Sequence, residues 1–511
     1  MSNEPPVKVV IIVRRDELNP ASRVWGTGGW QMPRDREGLD WLTLIIFMGW
    51  EPLLLYADDS LAASSCWHGA EVAVLALDPG QLSVGRRAEL AHVVEQYGVT
   101  LIARAADPGS RWGQWAGAWS ATPMEGRNIS IRGEALAGQP REYPFLVSPP
   151  IWALEIDAES SVLLRLSNYA LASRKNTGSG SVLTMGFHPS ELRDGEGAGT
   201  LLIRDLLLSV TGRARARLDW SDTLILRMDD PGGAQNVHSK SWCYSKIRST
   251  NWTEIGALLR ARGARLTAGY IAGWVDDGDE RRGRITVGGD SPRRTPGTVY
   301  PSRLVRHWDL GGHAPGRENN YQDEYEGLLN LVRKGLATVE LHGYTHQSPD
   351  RESWLRAADQ YENTAWFREL GAPAADYWRL HPDGPHPLAA GALEIEDAFG
   401  RRPEVLICPG EEFGQEALER ALDLGIGLVG SYYLGIRWRD HLCWTQHVCA
   451  PYLDEPSDSW FDSGLPVVGY FHDKEIAEQG PEWLELQLKE WEACGARRFI
   501  DYATLLRSLN P

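Results

Sequence analysis

The sequence predicts an α/β protein in two parts, and three observations carry that expectation. Short apolar runs of strand length alternate with helix-length segments along most of the chain. The alternation lapses in the polar, arginine-rich string Thr211–Asp219 and then restarts. At 511 residues the chain is also too long for one ordinary core, since domains usually run ~100–200 residues. The boundary is placed in the basic string, giving an α/β part over residues 1–215 and a second part over 216–511.

In the first part Lys8–Arg14 reads as a buried strand, VVIIV at its centre. Leu39–Met48 is apolar on nearly every side, as a buried helix would be, and Pro52–Tyr56 is a second short strand. Val72–Leu77 follows as a strand, Arg86–Gln96 as a helix carrying Leu90, Val93 and Val94, and Gly98–Ile102 as a further strand. These elements argue for a mostly parallel layer. Ser160–Ser167 and Ser181–Phe187 are strand-like and read as joined by the Gly/Ser-rich turn Asn176–Gly180, with Leu201–Val210 a closing helix.

Beyond the boundary the strands are Leu224–Met228, Leu266–Ala272, Thr338–Leu341, Val405–Ile407, Ile426–Gly430, Val467–Phe471 and Phe499–Ile500. The helices between them are Glu254–Arg262, Tyr325–Lys334, Ala390–Phe399, Gln415–Leu424 and Glu482–Ala493. Repeated β-α units over about 290 residues fit a (β/α) barrel, which takes ~250 residues or more. Trp274–Gly316, rich in Gly, Pro, Arg and Asp, is too long for a simple connection, and such loops are usually functional or mobile.

Charge and composition narrow the function. The net charge of −17, with no long basic run, disfavours phosphate backbones and so nucleic acid. Six cysteines without a CxxC pair exclude a disulfide scaffold and a zinc ribbon. The run Val9–Val13 is short and is followed, not preceded, by Arg14 and Arg15, so it does not read as a signal peptide. Trp41–Trp50 falls short of the ~20 apolar residues of a membrane span. A cytoplasmic protein is the expectation. The 22 tryptophans read as core and interface, with some available as sugar-stacking platforms.

Two motifs carry chemistry, each at the predicted C-terminal end of a strand. Asp229 and Asp230 follow Leu224–Met228 directly, and adjacent carboxylates beside a buried strand raise each other's pKa unless a cation or a shared proton relieves them. A solvated turn before Pro231 and Gly232 fits the same residues. His342 and His346, in LHGYTH, are spaced to lie on one face of a helical turn and grip one metal ion, although a loop can hold such a pair by chance. Barrel strands converge at one face. Asp230, His342 and His346 can therefore offer two neutral nitrogens and one oxygen, leaving positions open as catalytic zinc does. Zinc suits these donors, and Co, Ni or Mn can substitute.

The order of these motifs, followed by Pro409-Gly410 after a strand and a late strand ending in His472, resembles the polysaccharide deacetylase family, over roughly Trp220 to the C-terminus. The resemblance implies a distorted (β/α)7 barrel. It implies Asp229 as general base, Asp230, His342 and His346 as metal ligands, and His472 as general acid. It also suggests the backbone N–H of Tyr344 as an oxyanion donor. The family usually has an arginine before the proline, where it steadies the base. Here Ile407 and Cys408 stand there, and Arg227 is the candidate replacement. A later Asp/Trp motif finds only Arg437–Asp440 as a faint match.

The first part is similar to glutamine amidotransferase-like domains in its alternation and in the phrases Leu77–Leu82 and Gly178–Phe187. Cys66 lacks the flanking glycines of a nucleophile elbow, so this part reads as non-catalytic. The resemblances together imply a metal-dependent deacetylase acting on an amino sugar or a glycosylated small molecule, and the expected lack of an export signal with the long insertion Trp274–Gly316 and the extra first part favours a compact substrate over a polymer. Two alternatives stay open: a metal-containing carbohydrate-binding protein without turnover, and an amidase or esterase acting on a non-sugar substrate.

Overall fold

The computed structural model describes residues 6–15, 37–61, 65–124, 127–134, 140–147, 151–187, 198–349, 368–371, 386–431, 433–439, 441–446 and 459–509. The protein is α/β with two large mixed sheets.

The first sheet holds β1 (Lys8–Val13), β2 (Glu51–Tyr56), β3 (Ala70–Leu75), β4 (Thr100–Arg104), β5 (Ala118–Met124), β6 (Arg127–Gly133), β7 (Arg141–Val147), β8 (Ile151–Ile156), β9 (Ser161–Leu166), β10 (Tyr169–Thr177) and β11 (Gly180–Met185). β2, β1, β3, β4 and β11 run parallel in that order. Residues 9–13 of β1 are buried, which is why the run is uniformly Val and Ile. From β11 outward the sheet turns antiparallel through β10, β9, β6 and β7, with β8 and β5 branching from β10. A mostly parallel layer is therefore too simple. The antiparallel strands were hard to read because they are half exposed and carry prolines, Pro123 in β5 and Pro144 in β7. The turn at Gly178 joins β10, not β9, to β11, with Thr177 paired to Gly180.

The second sheet runs β23-β22-β21-β20-β19-β13-β12-β24, with β25 on β12. Its members are β12 (Thr223–Asp229), β13 (Leu266–Tyr270), β19 (Ala337–Leu341), β20 (Val405–Ile407), β21 (Leu428–Gly430), β22 (Tyr433–Trp438), β23 (His441–Gln446), β24 (Val467–His472) and β25 (Arg498–Ile500). β24, β25, β12, β13, β19, β20 and β21 are parallel, while β22 and β23 turn back as a hairpin. The result is a half-barrel, open between β24 and β23 among the described residues.

Alternation along the strands sorts its two faces. Leu224, Leu226 and Met228 of β12 join Val467 and Phe471 of β24 in the core beneath the outer helices, among them Ser249–Ala261, Tyr321–Arg333, Pro387–Phe399 and Pro481–Ala493. The other parity, Ile225 with Val468 and Tyr470, packs inside against Val405, Ile407 and the C-terminal helix Tyr502–Leu509. Arg227, Asp229 and His472 continue that inner parity, so the sequence period itself delivers them to one mouth.

Trp274–Gly316 is not a loop. It folds into the antiparallel pair of β14 (Gly273–Val275) with β16 (Val299–Pro301), and into β15 (Gly283–Val287) paired with β17 (Val305–Asp309), which in turn pairs β18 (Glu318–Asn320). Its Gly and Arg content had obscured this. Buried Arg294 ties Asp276 and Asp277 at 2.6 and 2.5 Å, while Trp274, Ile285 and Val305 pack against Ala234 and Val237 of the segment after β12. The two parts also touch outside their sheets. Trp220 packs edge-on against Phe47 and its indole N–H donates to the Phe47 carbonyl at 3.0 Å.

Candidate active site

Asp230 is the first residue past β12, and its backbone has φ 78°, a left-handed conformation that L side chains rarely adopt. His346 at φ 59° and Glu411 at φ 62° share this strain. Three of the six non-glycine residues with positive φ among those described therefore stand at one mouth, which is where strain tends to be kept for function.

His342 follows β19, and the chain from there to His346 is a bent loop, not the helical turn that the spacing suggested. Gly343 makes the bend at φ 68°, where a Cβ would meet Glu369 Oε2 at 2.2 Å and Pro409 at 2.7 Å. Glu369 fixes the loop from outside, taking backbone N–H donors of Tyr344 at 2.7 Å, Thr345 at 3.0 Å and His346 at 3.2 Å, and the Thr345 hydroxyl at 2.9 Å. The Tyr344 N–H is thus engaged by a carboxylate, which removes it as an oxyanion donor in this arrangement.

The bend brings the two imidazoles edge to face, ring centroids 4.7 Å apart. Asp230 Oδ1 lies 3.4 Å from His342 Nε2 and 3.5 Å from His346 Nε2. All three residues are buried, and one ligand atom from each lies within 4.8 Å of the others. Asp230 Oδ1 makes no hydrogen bond, an expensive state for a buried carboxylate oxygen. A divalent cation fits the gap, since two donors each ~2.0–2.2 Å from a tetrahedral ion stand about 3.4 Å apart. His342 Nδ1 meets the Ile407 carbonyl at 3.0 Å, which fixes its ring and leaves Nε2 toward the site. Burial alone would push the Asp230 carboxyl up, but the adjoining His342 imidazole and the charge of His472 hold it well below the usual range. Burial presses His346 down to about 4, keeping it neutral as a ligand must be.

Asp229 is held by Arg227, two residues earlier on the same strand face. Arg227 Nε donates to Oδ1 at 2.8 Å and Nη2 to Oδ2 at 2.5 Å. Nη2 also reaches Glu411 Oε1 at 2.6 Å, and the guanidinium stands 4.9 Å from the Tyr470 ring centroid. Ile407 and Cys408 are buried apolar residues, and the cation that holds Asp229 is Arg227. Room for the carboxylate comes from Gly269 of β13. A Cβ there would stand 3.1 Å from Asp229 Oδ1 and 3.4 Å from His342 Cβ.

His472 ends β24 in direct register with Asp229. Glu475 Oε2 accepts its backbone N–H at 2.7 Å and lies 3.6 Å from its Nδ1. Burial would lower this imidazole, but the Glu475 carboxylate beside it and the charges of Asp230 and Asp229 raise it to about 9, which favours the protonated form. Trp242 sets its ring 4.9 Å from that of His472, edge to face.

The five residues singled out in the sequence therefore meet at one mouth. Those missed are Glu369, Glu411, Glu475 and Trp242. Only Glu411 had a local signal, in the Pro-Gly turn that it follows. The faint match at 437–440 adds nothing, since Asp440 lies outside the described residues. Cys66 sits in a short turn, Ser65–Trp67, ahead of β3, not at a strand-to-helix elbow.

No known protein family matches the chain, and no curated protein does. Among solved structures it is similar to Agd3, a carbohydrate deacetylase, at 12% identity over 93% of this chain and 87% of that one, TM-score 0.36. It is similar to a mutant of a CE4 family pseudoenzyme with restored activity at 12% identity, over 56% and 68% of the two chains, TM-score 0.28. A β-galactosidase from Rahnella sp. R3 matches at 12% identity over 35% of this chain and only 28% of its own length, TM-score 0.28. Likenesses this slight bear no weight for the chemistry, which rests on the residues. No helix among the described residues is long and apolar enough to cross a membrane.

Proposed function

We propose that the protein is a metal-dependent hydrolase that removes an N-acetyl or related acyl group from an amino sugar or glycosylated small molecule. One observation carries this reading: Asp229 and His472, a register pair on adjacent strands, flank the buried group Asp230, His342 and His346. Those three would hold the cation, zinc before Co, Ni or Mn. When bound, it supplies Lewis acidity to the reaction.

The chain's own residues supply the proton transfers. Asp229, clamped by Arg227, accepts a proton from water as the water oxygen bonds to the amide carbon. His472, protonated and steered by Glu475, then gives its proton to the amide nitrogen as the C–N bond breaks, releasing carboxylic acid and free amine. The buried surroundings strengthen each of these charges.

The choice of sugar comes from the motif order. The folded insertion, packed on Ala234 and Val237 beside the site segment, favours a compact substrate over a polymer. A binding protein without turnover drew its support from the missing arginine, and Arg227 takes away that ground. Residues 1–215 are read as a separate, non-catalytic unit. The test is release of acetate from N-acetylated amino sugars and their glycoconjugates by the zinc-loaded protein. Release from simple acyl amides alone would favour the non-sugar amidase, and metal binding without release from any of them would favour the binding protein.

A further inference from the structure

A buried polar network lies behind the carboxylate pair, and none of the steps above uses it. Lys246 is almost wholly enclosed, with its ammonium against Asp473 Oδ2 and 3.4 Å from Glu324 Oε2. It also stands 3.5 Å from the backbone carbonyl of Asp230. Glu324, on the helix Tyr321–Arg333, accepts the backbone N–H of Gly232 at 2.8 Å. Asp473 takes the Tyr244 hydroxyl at 2.5 Å and is the residue immediately after His472. One cation therefore touches the main chain of Asp230, the carboxylate that anchors Gly232, and the neighbour of His472.

The residue type supports a placed function. The chain has only seven lysines among its 52 Lys and Arg, so arginine is its ordinary cation. An ammonium projects three donors in different directions, whereas a guanidinium presents a flat fork. Three acceptors arriving from three separate elements call for the ammonium. The need for a brace is also visible, because a non-glycine residue at φ 78° keeps that shape only where its surroundings over-determine it.

We propose that Lys246 is a positioning residue that clamps the turn at 230–232 to the corner at 472–473, setting the Asp230 carboxylate and the His472 imidazole relative to each other. The proposal rests on the metal-hydrolase reading and adds a link between its two halves. Loss of an outer partner of a metal ligand typically weakens binding about 10- to 100-fold. The test measures zinc affinity by competition with a chromophoric chelator, on the full chain and its Lys246→Met and Lys246→Arg variants, with kcat and KM on an acetylated amino sugar.

Lys246→Met is expected to weaken zinc at least about tenfold. At saturating zinc it should also lower kcat while leaving KM within about twofold, as expected when an interaction of the transition state alone is lost. Lys246→Arg should restore thermal stability, since it still neutralises both carboxylates, but not zinc affinity. Recovery of both together would reduce the lysine to charge balance and overturn the clamp. Should Lys246→Met not fold, Glu324→Leu, which strips the acceptor from Gly232, is expected to show the same loss of zinc. Wild-type zinc affinity in the variants overturns the proposal alone. A wild-type chain that takes up no zinc overturns the metal reading, and the clamp with it.

Discussion

Replacing Arg227 with methionine deletes a fully buried cation while keeping most of its length. The guanidinium answers two carboxylates, Asp229 through contacts of 2.8 and 2.5 Å and Glu411 at 2.6 Å. Removing one partner of a buried ion pair costs about 3–5 kcal/mol, because the other charge is left desolvated and unpaired. Two carboxylates are stranded here, so the upper end, about 5 kcal/mol, is expected near neutral pH. Burial already pushes the Glu411 carboxyl above its ordinary value, against the pull of Arg227, so without the arginine the folded chain should hold a proton there more firmly. A raised carboxyl pKa means that the native state binds more protons than the unfolded state, so the variant gains stability as pH falls and loses it as pH rises. Urea unfolding followed by tryptophan fluorescence at about pH 5 and about pH 7.5 reads both effects, and the deficit should shrink at the lower pH. Adding Glu411→Gln should recover about 1–3 kcal/mol, the coupling of two charges that share one partner. An Arg227→Met chain within about 0.5 kcal/mol of wild type at neutral pH, where surface changes fall, would show that the two carboxylates do not depend on this cation.

Asp229→Asn should keep its metal and lose about 10²- to 10⁴-fold in kcat, the worth of a general base; near wild-type turnover would demote Asp229 to a structural partner of Arg227. The acid form of His472 is lost as pH rises and the Glu475 carboxylate holds its value up, so kcat/KM should fall along an alkaline limb above the ordinary histidine range. Glu475→Gln should draw that limb toward the ordinary histidine value of ~6.5, and an unmoved limb would remove Glu475 from the account. Glu340, buried in β19 and accepting the backbone N–H groups of Glu404 and Val405, is pushed by burial to about 7. The folded chain therefore carries a proton there that the unfolded chain has shed, so stability falls between the ordinary carboxyl range and pH 7. Glu340→Gln should flatten that slope in melts across the window, and an unchanged slope would assign it to other groups.

What the sequence revealed follows from how local each signal is. The parallel strands β1, β4, β12, β19 and β24 are short buried runs whose composition states their burial, so they were legible. The wing β5–β8 was not, because half-exposed strands mix Ser, Thr, Arg and Pro, and the folded insertion was hidden in the same way by Gly and Arg. Asp229, Asp230, His342, His346 and His472 could be found because each sits at the end of such a run. The spacing of the histidines nevertheless suggested a helical turn where Gly343 and the carboxylate of Glu369 impose a bent loop. Glu369 and Lys246 lie on other elements, and only tertiary packing brings them to the site. Arg227 was within reach, since residues two apart on a strand share a face, but its second partner, Glu411, is 184 positions away.

Whether Asp230, His342 and His346 together bind one divalent ion is read from metal content by elemental mass spectrometry after zinc loading and desalting. About one zinc per wild-type chain is expected, with nearly all of it lost in His342→Ala while the fold is retained. Undiminished zinc in that variant, or none in the wild-type chain, would contradict a shared site.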